Sequence, residues 1–287
     1  RRLVQNKIWR FSITVLFLII FLEALSRLLG VADVPLRNAN SVTGYIPKPS
    51  QSGSFLRNDW HINAMQMISS KEFTTDSNEL LLAGDSVVYG GSPLKQEERV
   101  GEQLDLITPD INVYTIADAS WSFKNSLNYI EANQEKLLGL ERIIFILNSG
   151  DFEKPSSWRC ESYHPISKPI SHFFFMMRKR LIPKCLAKPK KDTLVEDYDF
   201  TEKFNRLIDK FENTDFTIFL YQNRDEYNDS RNLIELVDEK ILPRVHVYQL
   251  IDYSDMWEKE YYRDTIHPSS NGTEALAKIL LRIINSK

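Results

Sequence analysis

The chain has 287 residues, 43% of them hydrophobic, which is enough for one large domain or two small ones around a sizeable core. Its 36 Lys and Arg stand against 39 Asp and Glu, for a net charge of -3. So small an imbalance leaves no basic footprint for DNA or RNA, and nucleic acid is excluded as an expected partner.

The first element is an apolar run, Ile8 to Leu22 (IWRFSITVLFLIIFL). With Glu23 and Arg27 at the far interface the run reaches Leu29, about 20 residues, the length of a bilayer-crossing helix. Arg1, Arg2 and Lys7 precede it and Arg10 lies at its start, whereas Glu23, Arg27, Asp33 and Arg37 follow. That bias puts the N-terminus in the cytoplasm and everything after Gly30 outside, in the periplasm or cell exterior. A cleaved signal peptide fits less well, because the small residues of "GVA" lie about ten residues beyond the run. A buried core helix also fits less well, since the run is apolar on every face. Residues 1–30 are therefore read as a basic end and an uncleaved transmembrane anchor.

Residues 31–78 are polar, with Pro35, Pro47 and Pro49 and scattered Gly and Ser; they read as a linker and irregular lead-in with a short strand pair around "DWHINAMQM". From residue 79 the pattern is regular. Short aliphatic runs at Leu80 to Ala83, Val113 to Ala117, Arg142 to Leu147, Thr217 to Tyr221 and Val245 to Leu250 alternate with amphipathic stretches such as "FKNSLNYIEANQEKLLG" and "SRNLIELVDEKIL". Such alternation predicts an α/β domain over 79–287: a mostly parallel five-stranded sheet between two helical layers, joined by right-handed crossovers. Ligands in such sheets bind beyond the carboxyl ends of the strands.

The alternation breaks over about 152–210, an insertion that could cover the strand ends or pack on the body as a helix and basic loop. Its aromatic and basic residues could also touch a membrane surface or an anionic polymer. Cys160 and Cys185 are the two cysteines. In an oxidising compartment they could pair, and two reduced thiols fit almost as well. No Cys and His spacing resembles a zinc site, and no metal or cofactor is expected.

The first strand ends in "AGDSVVYGG". Ser86, just past it, becomes a nucleophile only with a base to take its proton and a third group to hold that base. Of five histidines, His61 lies in the lead-in, His164 and His172 in the insertion, and His246 within a strand. His267 lies in "RDTIHPSSNGTEALAKIL", a polar loop before the last helix, with Asp264 three residues upstream. At that spacing a carboxylate can hold one ring nitrogen and aim the other outward; a surface turn capped by Asp264 is the other reading.

"AGDSVVYGG" and "DTIHP", in this order and position, resemble the first and last motif blocks of the SGNH/GDSL hydrolase family, over residues 79–287. The resemblance implies a flavodoxin-like three-layer α/β/α fold with Ser86 as nucleophile, His267 as general base and acid, and Asp264 as its orienting partner. It also implies an oxyanion hole from the Ser86 N–H, the N–H of Ser120 in "VYTIADASWSF" where the family has glycine, and a third donor. In "LNSGDFEKPSSWR", alignment on Asp151 puts Gly150 where the family has its asparagine, and Asn148, two residues earlier, is taken as that donor. The "NSGDF…SSWR…HP" stretch is similar to the third block of membrane-anchored envelope members, so Trp158, Arg159 and His164 are expected near the substrate, with packing or surface placement as the alternative; Asp85 of the first block is also expected to bind substrate. Gly90 and Gly91 are read as turn residues beside the nucleophile. The activity implied is hydrolysis of ester-linked acyl groups, acetyl foremost, on a cell-envelope glycan. Transfer to a sugar hydroxyl would use the same residues, with a membrane-embedded acyl donor as possible partner; a non-catalytic binding or scaffold subunit is the third reading.

Overall fold

The computed structural model describes residues 2–75, 78–181, 185 and 191–286. Helix α1 (Arg2–Leu28) opens the chain, and its stretch Asn6–Leu28 is long and apolar enough to cross a membrane. Phe11, Phe17 and Phe21 on it are exposed, so the domain does not use this surface as core.

The lead-in is more ordered than its composition suggests. It forms two antiparallel hairpins, β1 (Arg37–Asn40) with β2 (Gly44–Pro47) and β3 (Gln51–Phe55) with β4 (Asn58–Ile62). The expected single strand pair around "DWHINAMQM" is thus one arm of the second hairpin, and the residues after Ile62 are irregular.

The domain then runs β5 (Glu79–Gly84), α2 (Ser86–Tyr89), α3 (Val100–Ile107), β6 (Asn112–Ala117), α4 (Phe123–Ala132), α5 (Gln134–Leu137), β7 (Arg142–Leu147), α6 (His172–Leu181), α7 (Phe200–Lys210), β8 (Asp215–Leu220), α8 (Arg224–Asn228), β9 (His246–Gln249) and α9 (Ser270–Asn285). All five strands of the sheet are parallel, in the order β6-β5-β7-β8-β9. Both faces are covered, as parallel sheets require. Alternate residues of each strand point to opposite faces. Leu81, Ala83, Phe145 and Ile218 face Phe123, Leu127 and Phe204 of α4 and α7, whereas Leu80, Leu82, Ile144 and Phe219 face Val100, Leu104, Leu276 and Leu280 of α3 and α9. Phe123 meets Phe145 and Phe204 edge to face at 4.9 and 5.2 Å, and truncating it to alanine should cost about 3–5 kcal/mol.

Three expectations need correction. Helix α7 is the crossover from β7 to β8, so the inserted part ends before Phe200 rather than near residue 210. The stretch "FKNSLNYIEANQEKLLG" breaks at Asn133 into α4 and α5. "SRNLIELVDEKIL" forms only short 3-10 turns at Ile234–Leu236 and Leu242–Arg244, although Leu233, Val237 and Ile241 are buried as a helical spacing would demand. There the Asn232 and Asp238 carbonyl and carboxylate oxygens accept the N–H of Ile234 and Lys240, local bonds that compete with a helix. Cys160 and Cys185 are joined in a disulfide, which ties α6 back to the body.

Candidate active site

The carboxyl end of β5 turns directly into α2. Gly84 permits this, because a Cβ there would lie 2.5 Å from Val88 Cγ2 and 2.7 Å from the Ile146 carbonyl oxygen. Asp85 caps α2, its carboxylate accepting the Val87 N–H at 2.8 Å, and the helix ends at Gly90 with φ 75. Ser86 therefore sits at the first turn of a short helix at the strand ends.

Across the sheet end, the loop before α9 presents His267. An antiparallel bridge between Tyr262 and Pro268 closes it, and the Arg263 N–H donates to the His267 carbonyl at 2.9 Å. Arg263 also donates to the Gly90 carbonyl at 3.2 Å, fastening the loop to the turn after α2. Inside, Asp264 accepts the backbone N–H groups of Ile266 and His267 at 2.9 and 2.8 Å. Its carboxylate oxygens lie 3.0 and 2.9 Å from His267 Nδ1, and His267 Nε2 lies 3.0 Å from Ser86 Oγ. Burial raises the Asp264 carboxyl, but the hydrogen bonds from both backbone N–H groups and the imidazole outweigh it and hold the group at about 2. Asp264 is thus an anion throughout the neutral range. A serine hydroxyl, an imidazole and a carboxylate stand in one hydrogen-bonded series, and such a series can lower the cost of removing the serine proton.

The three expected oxyanion donors converge less completely. Ser120 lies in the turn after β6 with φ 63, the left-handed region where a glycine is at ease and a serine is strained. Asn148 does reach the residue beside Ser86: its Nδ2 lies 3.0 Å from Asp85 Oδ2 and 2.9 Å from Asp151 Oδ2. A primary amide has two N–H donors, so both point at carboxylates in this arrangement. Asp85 and Asp151 are buried, and burial pushes both carboxyls up, Asp151 furthest because the Asp85 charge adds to the effect.

Asp85 is accordingly no open substrate contact: its oxygens serve Val87, Asn148 and the Ser86 hydroxyl, the last at 3.2 Å. Trp158 and His164 are also corrections. Trp158 is packed into the core with its indole N–H donating to the His164 carbonyl at 2.8 Å, so neither ring face is free for a sugar. His164 is buried and stacks on Tyr45 with centroids 3.7 Å apart. Of these four, only Arg159 is exposed.

Sequence reasoning missed the support of the Ser120 turn. Arg37 of β1 reaches Asp118, at the end of β6, with Nε and Nη2 at 3.0 and 2.8 Å from its two oxygens. Asp118 also accepts the Ala119 N–H at 2.8 Å, and the Tyr45 hydroxyl donates to the Ala119 carbonyl at 2.5 Å. Both hairpin residues thus hold the turn that carries Ser120. Nothing local in a Pro- and Gly-rich linker signals contacts of this range.

No family model matches the sequence, and no curated protein does. Solved structures align with the chain at low sequence identity. A lipolytic protein of the G-D-S-L family from Veillonella parvula aligns with a TM-score of 0.43 at 12% identity, over 72% of this chain and 98% of that one. The C-terminal catalytic domain of peptidoglycan O-acetyltransferase A from Streptococcus pneumoniae gives 0.41 at 9% identity, over 73% and 94%. The acetylxylan esterase Axe2 from Geobacillus stearothermophilus gives 0.40 at 13% identity, over 72% and 94%.

Proposed function

We propose that the domain is an SGNH-type serine esterase that removes ester-linked acyl groups, acetyl foremost, from a cell-envelope glycan. The observation that carries this reading is the series Ser86 Oγ, His267 Nε2, His267 Nδ1 and Asp264, with each link at 2.9–3.0 Å. Ser86 Oγ attacks the ester carbonyl carbon while its proton passes to Nε2. Asp264 stabilises the imidazolium so formed and keeps the ring oriented. The oxyanion is received by the N–H groups of Ser86 and Ser120 and by Asn148, whose amide exchanges Asp85 for the substrate oxygen. Collapse breaks the ester C–O bond, and the departing sugar oxygen takes the proton from Nε2. Water then attacks the acyl-Ser86 carbonyl, giving its proton to Nε2, and the acid leaves as Ser86 Oγ is reprotonated.

The anchor and the disulfide support a location outside the cytoplasmic membrane. A bilayer-crossing α1 with basic residues at its N-terminal end directs the domain outward, where oxidising conditions preserve a Cys160–Cys185 bond. At such a surface acylated glycans of the envelope are within reach.

The test is turnover of a chromogenic acetyl ester by the full chain in detergent. Ser86→Ala should lower kcat on the order of 10^6-fold; unchanged turnover would sink the catalytic reading and leave a binding or scaffold role. Adding an oligosaccharide acceptor separates the two reactions. Acceptor acetylation exceeding free acetate would replace hydrolysis by transfer.

A further inference from the structure

The end of α1 is not a simple tether. Glu23 accepts the Ser171 hydroxyl at 2.6 Å and the N–H groups of His172 and Phe173 at 3.2 and 3.0 Å, so the first turn of α6 is fastened to the last turns of α1. Arg27 closes the junction, bonded to Glu23 at 2.7 Å and to the Ile170 carbonyl at 2.5 Å.

Two cavities meet at this junction and share Arg27. One, of about 470 Å³, is an apolar groove along α1 lined by Ile19, Ile20, Ala24, Ile170 and Phe174 besides the junction residues. The other, of about 460 Å³, lies behind the end of α1, between the β3–β4 hairpin and residues 168–172. Its walls carry Arg27, Arg57, Lys168 and His172 against one acid, Asp33, whose carboxylate already accepts the Ser54 N–H at 2.7 Å. Arg57 and Lys168 form no ion pair among the described residues, and His172 Nδ1 is buried without a hydrogen-bond partner. At the rim, Leu28 is 82% exposed, Ile170 95% and Phe174 57%.

We propose that this junction is a binding site for an anionic phospholipid. An apolar groove adjoining a cationic chamber matches an amphiphile whose acyl chain and phosphate point to opposite ends. The groove runs along the apolar helix, so a lipid in the bilayer reaches it without leaving the hydrocarbon. The chamber lies where α1 ends, at headgroup height, where each Lys or Arg adds to the attraction of an anionic surface. Exposed Ile170, just before the fastened α6, and Phe174 on it then lie in the leaflet instead of in water. The lipid holds the domain down on the membrane, and with it the Ser86 site.

The inference rests on α1 being the membrane span, and the test keeps the two apart. A spin label is placed at Phe174→Cys in the full chain; the native cysteines are bonded to each other, so only the new thiol reacts. Labels at Phe17→Cys in α1 and at Leu106→Cys on the exposed side of α3 serve as bilayer and solvent references. Accessibility to oxygen against a water-soluble nickel chelate is read in nanodiscs of phosphatidylcholine, with and without phosphatidylglycerol. The expected result is a bilayer-like signal at 174 that deepens with phosphatidylglycerol, and loss of that deepening in Arg57→Gln/Lys168→Gln. A water-like signal at 174 in both discs, with a bilayer-like one at 17, overturns the site and leaves the anchor. A water-like signal at 17 overturns the anchor itself. A bilayer-like signal indifferent to phosphatidylglycerol, or reproduced in phosphatidylcholine discs by inorganic phosphate alone, overturns the anionic lipid as ligand.

Discussion

Arg37 and Asp118, 81 residues apart, form a doubly hydrogen-bonded ion pair with the Arg37 side chain 6% and the Asp118 side chain 0% exposed. The pair joins the lead-in to the turn beyond β6. Removing one partner strands the other charge in the interior, which typically costs about 3–5 kcal/mol. Arg37→Met should therefore lower stability by that order in thermal or denaturant unfolding. Asp118→Asn on top of Arg37→Met removes the stranded charge while keeping an oxygen for the Ala119 N–H, and should recover most of the loss. A double variant no more stable than Arg37→Met would show that the pair's charges are not what hold the turn.

This relationship also marks the limit of what the sequence discloses. All five expected runs are strands; β5 to β8 are legible because strands buried on both faces read as near-continuous apolar runs, whereas the edge strand β9 is only partly buried. The two ends of the candidate site are legible because Gly84-Asp85-Ser86 and Asp264 to His267 are each local: a cap, a tight turn and side chains within three residues. Arg37 is not legible, since a charged residue in a polar segment looks solvated until its distant partner is known. Trp158 misleads for the opposite reason, as an aromatic that could stack on a sugar is equally at home in a core. Residues 230–242 show that apolar spacing reports which side chains are buried and not which backbone carries them. Leu233, Val237 and Ile241 reach the core from turns that Asn232 and Asp238 stabilise.

Asn148 offers a direct test of the oxyanion assignment. If its amide leaves Asp85 for the substrate oxygen, Asn148→Ala should lower kcat by roughly 10^2 to 10^3 with little change in KM, the usual effect of deleting one oxyanion donor. The same substitution leaves Asp85 and Asp151 without the shared N–H groups, so unfolding should be measured beside the kinetics. A kcat that stays near the parent value in folded protein removes Asn148 from the chemistry and leaves it as a bridge between carboxylates.

His164 makes stability depend on pH. Burial lowers its pKa from 6.5 to about 4, the cations Arg37 and Arg159 adding to the effect against Asp118. The folded state thus resists a proton that the unfolded chain accepts between about pH 6.5 and 4, and stability falls as pH falls through that window. Between pH 7 and pH 5 the loss should be about 2 kcal/mol, from the shift converted at 1.36 kcal/mol per unit. Replacing His164 with Phe keeps a ring against Tyr45 and should flatten the profile over that range. A His164→Phe variant with the same slope would assign the dependence to other groups.

Asp264 gives a prediction of the opposite kind, in which catalysis and stability separate. Asp264→Asn keeps an oxygen for the Ile266 and His267 N–H groups yet cannot balance charge on the imidazole, so kcat should fall on the order of 10^4-fold in folded protein. The folded carboxyl is held at about 2, below its ordinary 3.8. Its depression means that the stability it contributes is complete above the unfolded value and disappears as pH falls through the folded one. The stability difference between parent and Asp264→Asn should therefore be flat from pH 9 to about pH 5 and shrink only below about pH 4. The drop in activity should persist across the whole flat range. If the activity difference instead vanished at neutral pH while the stability difference remained, Asp264 would be holding the loop and not the imidazole.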